Sequence, residues 1–208
     1  TRAIKMRFGP IDSFILIGGG PTLFDLAIWL KSQNLRVTVV TAPRHAVEQI
    51  DPTGGSLVDG LNRSSVSTVI VDDINDYADI VSLVHDRTLG IAIGPAWIFR
   101  KFVLDCFVGR LVNFHGIRLP RTRGGAHFTW QILTGDKTGG CNIQLVERKL
   151  DAGSVIKSLE YRFPAIARIP QDYFDESGRQ DVLFLREFIT EVLAEKEFEP
   201  IHLQEGFS

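Results

Sequence analysis

The sequence predicts an α/β protein, a doubly wound and mostly parallel twisted sheet with an antiparallel extension at its C-terminal side. Two observations predict it. Short apolar runs at Ser13–Ile17, Arg36–Thr41, Ser67–Val71, Leu89–Gly94 and Leu111–His115 alternate with stretches whose apolar residues recur at helical spacing. Two later runs, Cys141–Glu147 and Ser154–Arg162, are longer and partly alternating with only a turn between them, which suits an antiparallel pair.

The elements follow in order. Ser13–Ile17 runs into Gly18-Gly19-Gly20-Pro21-Thr22, after which Leu23, Leu26, Ala27 and Leu30 keep a helical period. With Arg36–Thr41 this completes a βαβ unit, the mark of a parallel sheet. The stretch Ala42–Ser65 carries Pro43, Pro52, Gly54, Gly55 and Gly60 and has room for short helices at His45–Ile50 and Leu57–Leu61. After the third strand, Asp72–Asn75 should cap a helix reaching His85. Pro95 should open a helix through Cys106, with Trp97, Phe99, Phe102 and Val103 along it, before the fifth strand Leu111–His115. A loop, Gly116–Gly125, leads to a helix at His127–Leu133 and a turn at Gly135–Gly140. Asp181 should cap the last helix, marked by Val182, Leu185, Phe188, Ile189, Val192 and Leu193, and the tail from Glu195 should be loose. Trp97, Phe99 and Trp130 read as core residues, and the Phe and Val residues of Phe99–Val108 serve equally as core or as a homodimer interface.

Composition narrows the function classes. The 208 residues, 44% hydrophobic and 23% charged, are enough for a full core and read as a single domain, 1–208. A net charge of -2 gives no overall attraction to a polyanion, so any phosphate recognition is local and nucleic acid is not the expected partner. Cys106 and Cys141 lack metal-site spacing and read as core thiols in a reducing compartment. There is no ligand cluster for a metal, no run long enough to cross a bilayer, and no signal-like pattern in Thr1–Pro10, so the expected location is the cytoplasm.

Two stretches carry chemistry. At the end of the fifth strand, Asn113 and His115 are two residues apart and project to one face, while Phe114 packs on the other. An amide and an imidazole can donate to a developing oxyanion, and Asp151, in Leu150-Asp151-Ala152-Gly153, can accept a proton, as acyl-type transfer to an amine requires. The same Asn-x-His also serves as hydrogen-bonded scaffolding, and Asp151 as a turn residue. The Gly18–Gly20 turn offers backbone amides at a helix N-terminus, yet it lacks the spacing of a dinucleotide fingerprint and a Walker lysine; it reads first as a tight turn, with Gly20 as a candidate phosphate contact.

Asn113-Phe114-His115, Leu119-Pro120-Arg121-Thr122-Arg123-Gly124-Gly125-Ala126, Gly135-Asp136 with Thr138-Gly139-Gly140, and Leu150-Asp151-Ala152-Gly153 together resemble the signature of folate-dependent formyltransferases, the Ile91–Ile156 span carrying the matches. The resemblance implies a Rossmann-like fold, 10-formyltetrahydrofolate as formyl donor, no metal, and Asn113, His115 and Asp151 as the catalytic set. It assigns the folate to Ile93, Gly94, Pro95 and Trp97 with Glu147 and Leu150, and the acceptor to Arg121, Arg123, Gly124 and Gly20. Arg118, Arg121 and Arg123 are either a solvated loop or partners for substrate phosphates, and His127 either a helix-cap residue or a pocket residue. Gly116-Ile117-Arg118 departs from the Pro-Ser-Leu of many members, which points to a different loop shape. The end of the chain soon after the last motif leads the expectation away from transfer RNA and toward an amino-sugar nucleotide as acceptor; glycinamide ribonucleotide is the alternative enzyme reading and a folate-binding regulatory protein the non-enzyme one.

Overall fold

The computed structural model describes residues 5–50, 54–118, 127–147 and 153–201. Among them, the strands are β1 Ser13–Gly18, β2 Arg36–Thr41, β3 Ser67–Ile70, β4 Thr88–Ile93, β5 Leu111–His115, β6 Thr138–Leu145 and β7 Val155–Arg162. They form one sheet in the order β3-β2-β1-β4-β5-β6-β7. The first five pair in parallel, while β6 runs antiparallel to β5 and β7 to β6. This is the doubly wound sheet with its antiparallel extension that the strand pattern implies.

Alternation along the buried strands creates two apolar layers. Phe14 and Leu16 of β1 and Val112 and Phe114 of β5 join Leu23, Leu26 and Leu30 of α1 (Gly20–Ser32) and Phe184 and Phe188 of α7 (Pro170–Leu193). On the opposite face Ile15, Ile17 and Leu111 pack with Val103 and Phe107 of α5 (Lys101–Phe107). Each such side chain, fully buried, contributes roughly 1.5–3 kcal/mol. The central β1 is flanked by β2 and β4, so chain order reverses there and a crevice opens beyond the carboxyl ends of the strands. Gly18 is required at that reversal: its φ is +137° and a Cβ would stand 1.9 Å from the Ile93 carbonyl oxygen.

Several local expectations are corrected. The helix expected from Pro95 begins only at Lys101, because Asn75 holds the preceding segment open, its Nδ2 donating to Ile98 O and its Oδ1 accepting from Arg100 N. The helix expected to be capped by Asp72–Asn75 is instead a 3₁₀ turn, Ile74–Asp76, and a separate α4, Ile80–Leu83. The helix at His45–Ile50 reduces to α2, Pro43–Ala46, while α3, Leu57–Arg63, starts on a Ser56–Asp59 capping box. Asp181 does not cap α7 but lies buried in its middle; the helix starts at Pro170, where the Asp172 carboxylate accepts from the amides of Arg168 and Ile169. The segment after Glu195 is fixed rather than loose as far as Ile201, since Phe198 pairs with Met6 and stacks on Phe8 and Phe188, and Ile201 pairs with Val155. Trp130 is not core but 67% exposed, because α6 (His127–Thr134) turns Phe128 and Gln131 inward instead.

Candidate active site

Asn113 and His115 share the α5 face of β5 and stand side by side at its carboxyl end, as their spacing implies. The antiparallel register sets Gln144 of β6 directly opposite Asn113. Asn113 Nδ2 is 3.1 Å from His115 Nε2, and that nitrogen is 3.1 Å from Gln144 Oε1. Gln144 Nε2 donates to the Gly153 carbonyl at 2.6 Å, which turns Oε1 toward the imidazole. An oxygen in that position calls for a proton on Nε2, so His115 donates to Gln144. The Asn113 amide would then set NH₂ against N–H, while its buried Oδ1 has no partner among the described residues. A half-turn of the amide resolves both: Oδ1 accepts from His115 and the NH₂ is left with hydrogens to donate at the strand end. Gln144 escapes a reading of the sequence because its role depends on the pairing register, which the sequence alone does not display.

On the other face of the sheet a cleft of about 1030 Å³ lies between the start of α1 and the helices α6 and α7, and it reaches Gly116, the residue after His115. Phe128 and Phe174 meet edge-to-face on one side, 4.8 Å between centroids, and Arg179 and Arg186 stand among the charged residues of the other. Asp181, 6% exposed, accepts from Ser177 at 3.5 Å and from the Cys141 thiol, and its Oδ1 has no partner among the described residues. Burial pushes its carboxyl up to about 7, the Ser177 and Cys141 hydrogen bonds offsetting only part of that. A Cβ at Gly116 would stand 2.8 Å from Asp181 Oδ2. The departure from Pro-Ser-Leu and the buried carboxylate are thus one feature: Asp181 occupies the room that a larger residue at 116 would need.

The other expected contacts divide. Ile93 ends β4 beside Phe114, Gly94 follows with φ +56°, and Pro95 and Trp97 continue along the α5 side, where the Trp97 indole donates to Asp72 O at 2.7 Å. Glu147 is exposed and lies beyond the start of β5, at the end away from His115, so the structure does not group it with Ile93–Trp97. Arg118 pairs with Asp136 at 2.8 Å and so serves the loop rather than an open anion site. Burial raises the Asp136 carboxyl, yet the Thr138 amide and Arg118 together hold it below the usual range. The Gly20 amide donates to Glu48 at 3.1 Å instead of standing open. Asp151, Leu150, Arg121, Arg123 and Gly124 lie outside the described residues, as does the His127 side chain. Among the described residues no group of three His, Cys, Asp or Glu could hold a metal ion, and no helix is long and apolar enough to cross a membrane.

Residues 92–172 match the family model described as formyl transferase. The methionyl-tRNA formyltransferase of Prochlorococcus marinus subsp. pastoris is 28% identical over 151 residues, 68% of this chain and 45% of that protein. The chain spans less than half the length of the curated relatives it matches. Among solved structures, the N-formyltransferase from Helicobacter canadensis in complex with folinic acid and dTDP-3-aminofucose is similar over 94% of this chain and 68% of its own, with a TM-score of 0.70 and 12% identity. Glycinamide ribonucleotide transformylase 1 from Symbiobacterium toebii covers 92% of this chain and 94% of its own, with a TM-score of 0.67 and 16% identity. At those identities the two structures establish a shared fold.

Proposed function

We propose that the chain, whose residues 92–172 match the formyl transferase family model, moves a formyl group from 10-formyltetrahydrofolate to the primary amine of a small acceptor, an amino-sugar nucleotide. The observation that carries the reading is the Asn113–His115–Gln144 arrangement, in which Gln144 and His115 hold the Asn113 amide as a prepared donor inside the matched stretch.

The residues present fit a folate donor. Ile93–Trp97 leaves the carboxyl end of β4 on the α5 face, the face that carries Asn113 and His115, and the orphaned Asn113 amide awaits a polar partner. When bound, the folate supplies an activated formyl carbon. The Asn113 NH₂ faces the oxygen that gains charge as the amine adds, and the barrier falls because this donor is already oriented by His115, whose Nε2–H is taken by Gln144 Oε1 and Asn113 Oδ1. Gln144 holds the imidazole in place through its own bond to Gly153. Asp151 favours the charged imidazole or takes the proton that the amine sheds.

The acceptor would occupy the cleft on the opposite face and reach the donor past Gly116, so that two substrates meet at the end of β5. Asp181 Oδ1 offers a buried acceptor for a sugar hydroxyl, and Arg186 supplies positive charge for phosphates, while Arg179 is held by Glu176. Methionyl-tRNA is a second reading, favoured by the curated relatives, and glycinamide ribonucleotide a third, since a transformylase for it shares the fold.

The test is a formyl-transfer assay with 10-formyltetrahydrofolate against amino-sugar nucleotides, glycinamide ribonucleotide and methionyl-tRNA, following tetrahydrofolate release and product mass. Turnover on an amino-sugar nucleotide is expected. Turnover on only one of the others would replace the acceptor, and folate binding with no turnover on any would favour a regulatory protein.

A further inference from the structure

The glycine turn that opens α1 borders the acceptor cleft through Pro21 and Thr22, yet the amides of Gly19 and Gly20 are already engaged. Gly19 N donates to Ile93 O at 3.1 Å, Gly20 N donates to Glu48 Oε2 at 3.1 Å, and Pro21 has no N–H. Glu48 is itself anchored. Its other oxygen lies 2.5 Å from His45 Nδ1, and the His45 ring fills the space beside Gly19, where a Cβ would come within 2.5 Å of its Cγ. Gly19 is extended, so the absence of a side chain there serves the histidine and not the backbone. The carboxylate therefore sits where the positive end of the α1 dipole favours an anion, fixed from two sides by groups of the chain itself.

We propose that Glu48 is a specificity-determining residue: it fills the anion position of the Gly18–Gly20 turn and excludes acceptors that would place a phosphate monoester there. A second anion would meet both an occupied amide and a like charge. Acceptors whose phosphates are held elsewhere along the cleft escape this exclusion, which separates a sugar nucleotide from a ribose 5-phosphate amine. The consequence for acceptor choice rests on the formyl-transfer reading; the occupancy of the turn does not.

The experiment titrates ¹⁵N-labelled protein with inorganic phosphate and with ribose 5-phosphate, following the Gly19 and Gly20 amide resonances in the wild type, Glu48→Gln and Glu48→Ala. The wild type should show no saturable shift at these glycines. Glu48→Ala should show one, with phosphate bound at least about tenfold more tightly than by the wild type. Glu48→Gln keeps an acceptor on Gly20 without the charge and should fall between the two. A saturable shift in the wild type, or none in either variant, overturns the proposal; if the alanine variant does not fold, the glutamine variant decides alone. The readout needs neither folate nor turnover, so its failure and that of the formyl-transfer reading are separate results.

Discussion

Replacing Asp181 by Asn should remove a loss of stability that sets in as the pH rises from acid toward neutral. Asp181 titrates near 7 in the folded chain because burial penalises its charge, against 3.8 for an ordinary aspartate. Between those values the folded chain keeps a proton that the unfolded chain has released, so the contribution to stability is fully present below the unfolded value and is lost as pH climbs through the folded one. Linkage with these two values gives a loss of about 2.5 kcal/mol between roughly pH 5 and pH 8. The groups that face the carboxyl do not blur the window. The Cys141 thiol and Tyr161 hydroxyl are both raised by burial and stay neutral, and Asp25, raised by burial across the cleft, is common to both proteins and cancels in the difference. The substituted amide keeps the size of the carboxyl beside Gly116 and has no proton to lose in this range. Urea unfolding of both proteins across these pH values is the assay, and the quantity is the difference in unfolding free energy at each pH. Parallel profiles would refute the reasoning, for they would mean that Asp181 is solvated or paired in the folded chain.

Three further outcomes follow from the site and the sheet. Asn113→Ala and His115→Ala should each lower formyl transfer about a hundredfold or more with the fold intact by circular dichroism, the loss expected for one oxyanion donor; near-normal rates in both would dismiss the mechanism. Gln144→Leu strips the acceptor from His115 and the donor from Gly153, so it should cost about 1–3 kcal/mol in urea unfolding and lower kcat more than it changes KM for the amine. An unchanged kcat would show that His115 is held by other means. Gly153→Ala would set a Cβ 1.7 Å from the Leu145 carbonyl, where β6 and β7 meet, and on the order of 3 kcal/mol of stability should be lost. Equal urea midpoints would mean that this turn can shift to make room.

Much of the sheet is legible because periodicity is a local property. Leu111–His115 can be placed to the residue, and Asn113 and His115 go to one face on their two-residue spacing alone. Failures arise where a distant side chain takes over the backbone. Nothing near Pro95 reveals that Asn75 will bond Ile98 and Arg100 and hold a helix off until Lys101. Trp130 looks like core because it is large and apolar, but which side of an eight-residue helix turns inward is settled by what lies beneath it, here Phe163 and Tyr173 against Phe128.

The same distinction governs the site. A residue whose chemistry is its own, such as His115, can be recognised from the sequence; one whose chemistry is given by its surroundings cannot. Asp181 reads as a cap because aspartate favours helix starts, and only the packing of α7 against β6 and Gly116 turns it into a buried carboxyl that titrates near 7. Glu48 is an ordinary loop acid until the fold places it on Gly20, and the glycine turn is an open anion site until Glu48 is placed there. Charge, pKa and donor availability around this site are therefore properties of pairs distant in the chain: Gly116 with Asp181, Gly20 with Glu48, His115 with Gln144. A change at one member should be read through the other, so Gly116→Ala is expected to reproduce an Asp181 defect and not a loop defect, because the added methyl presses on the carboxylate while leaving His115 on its strand.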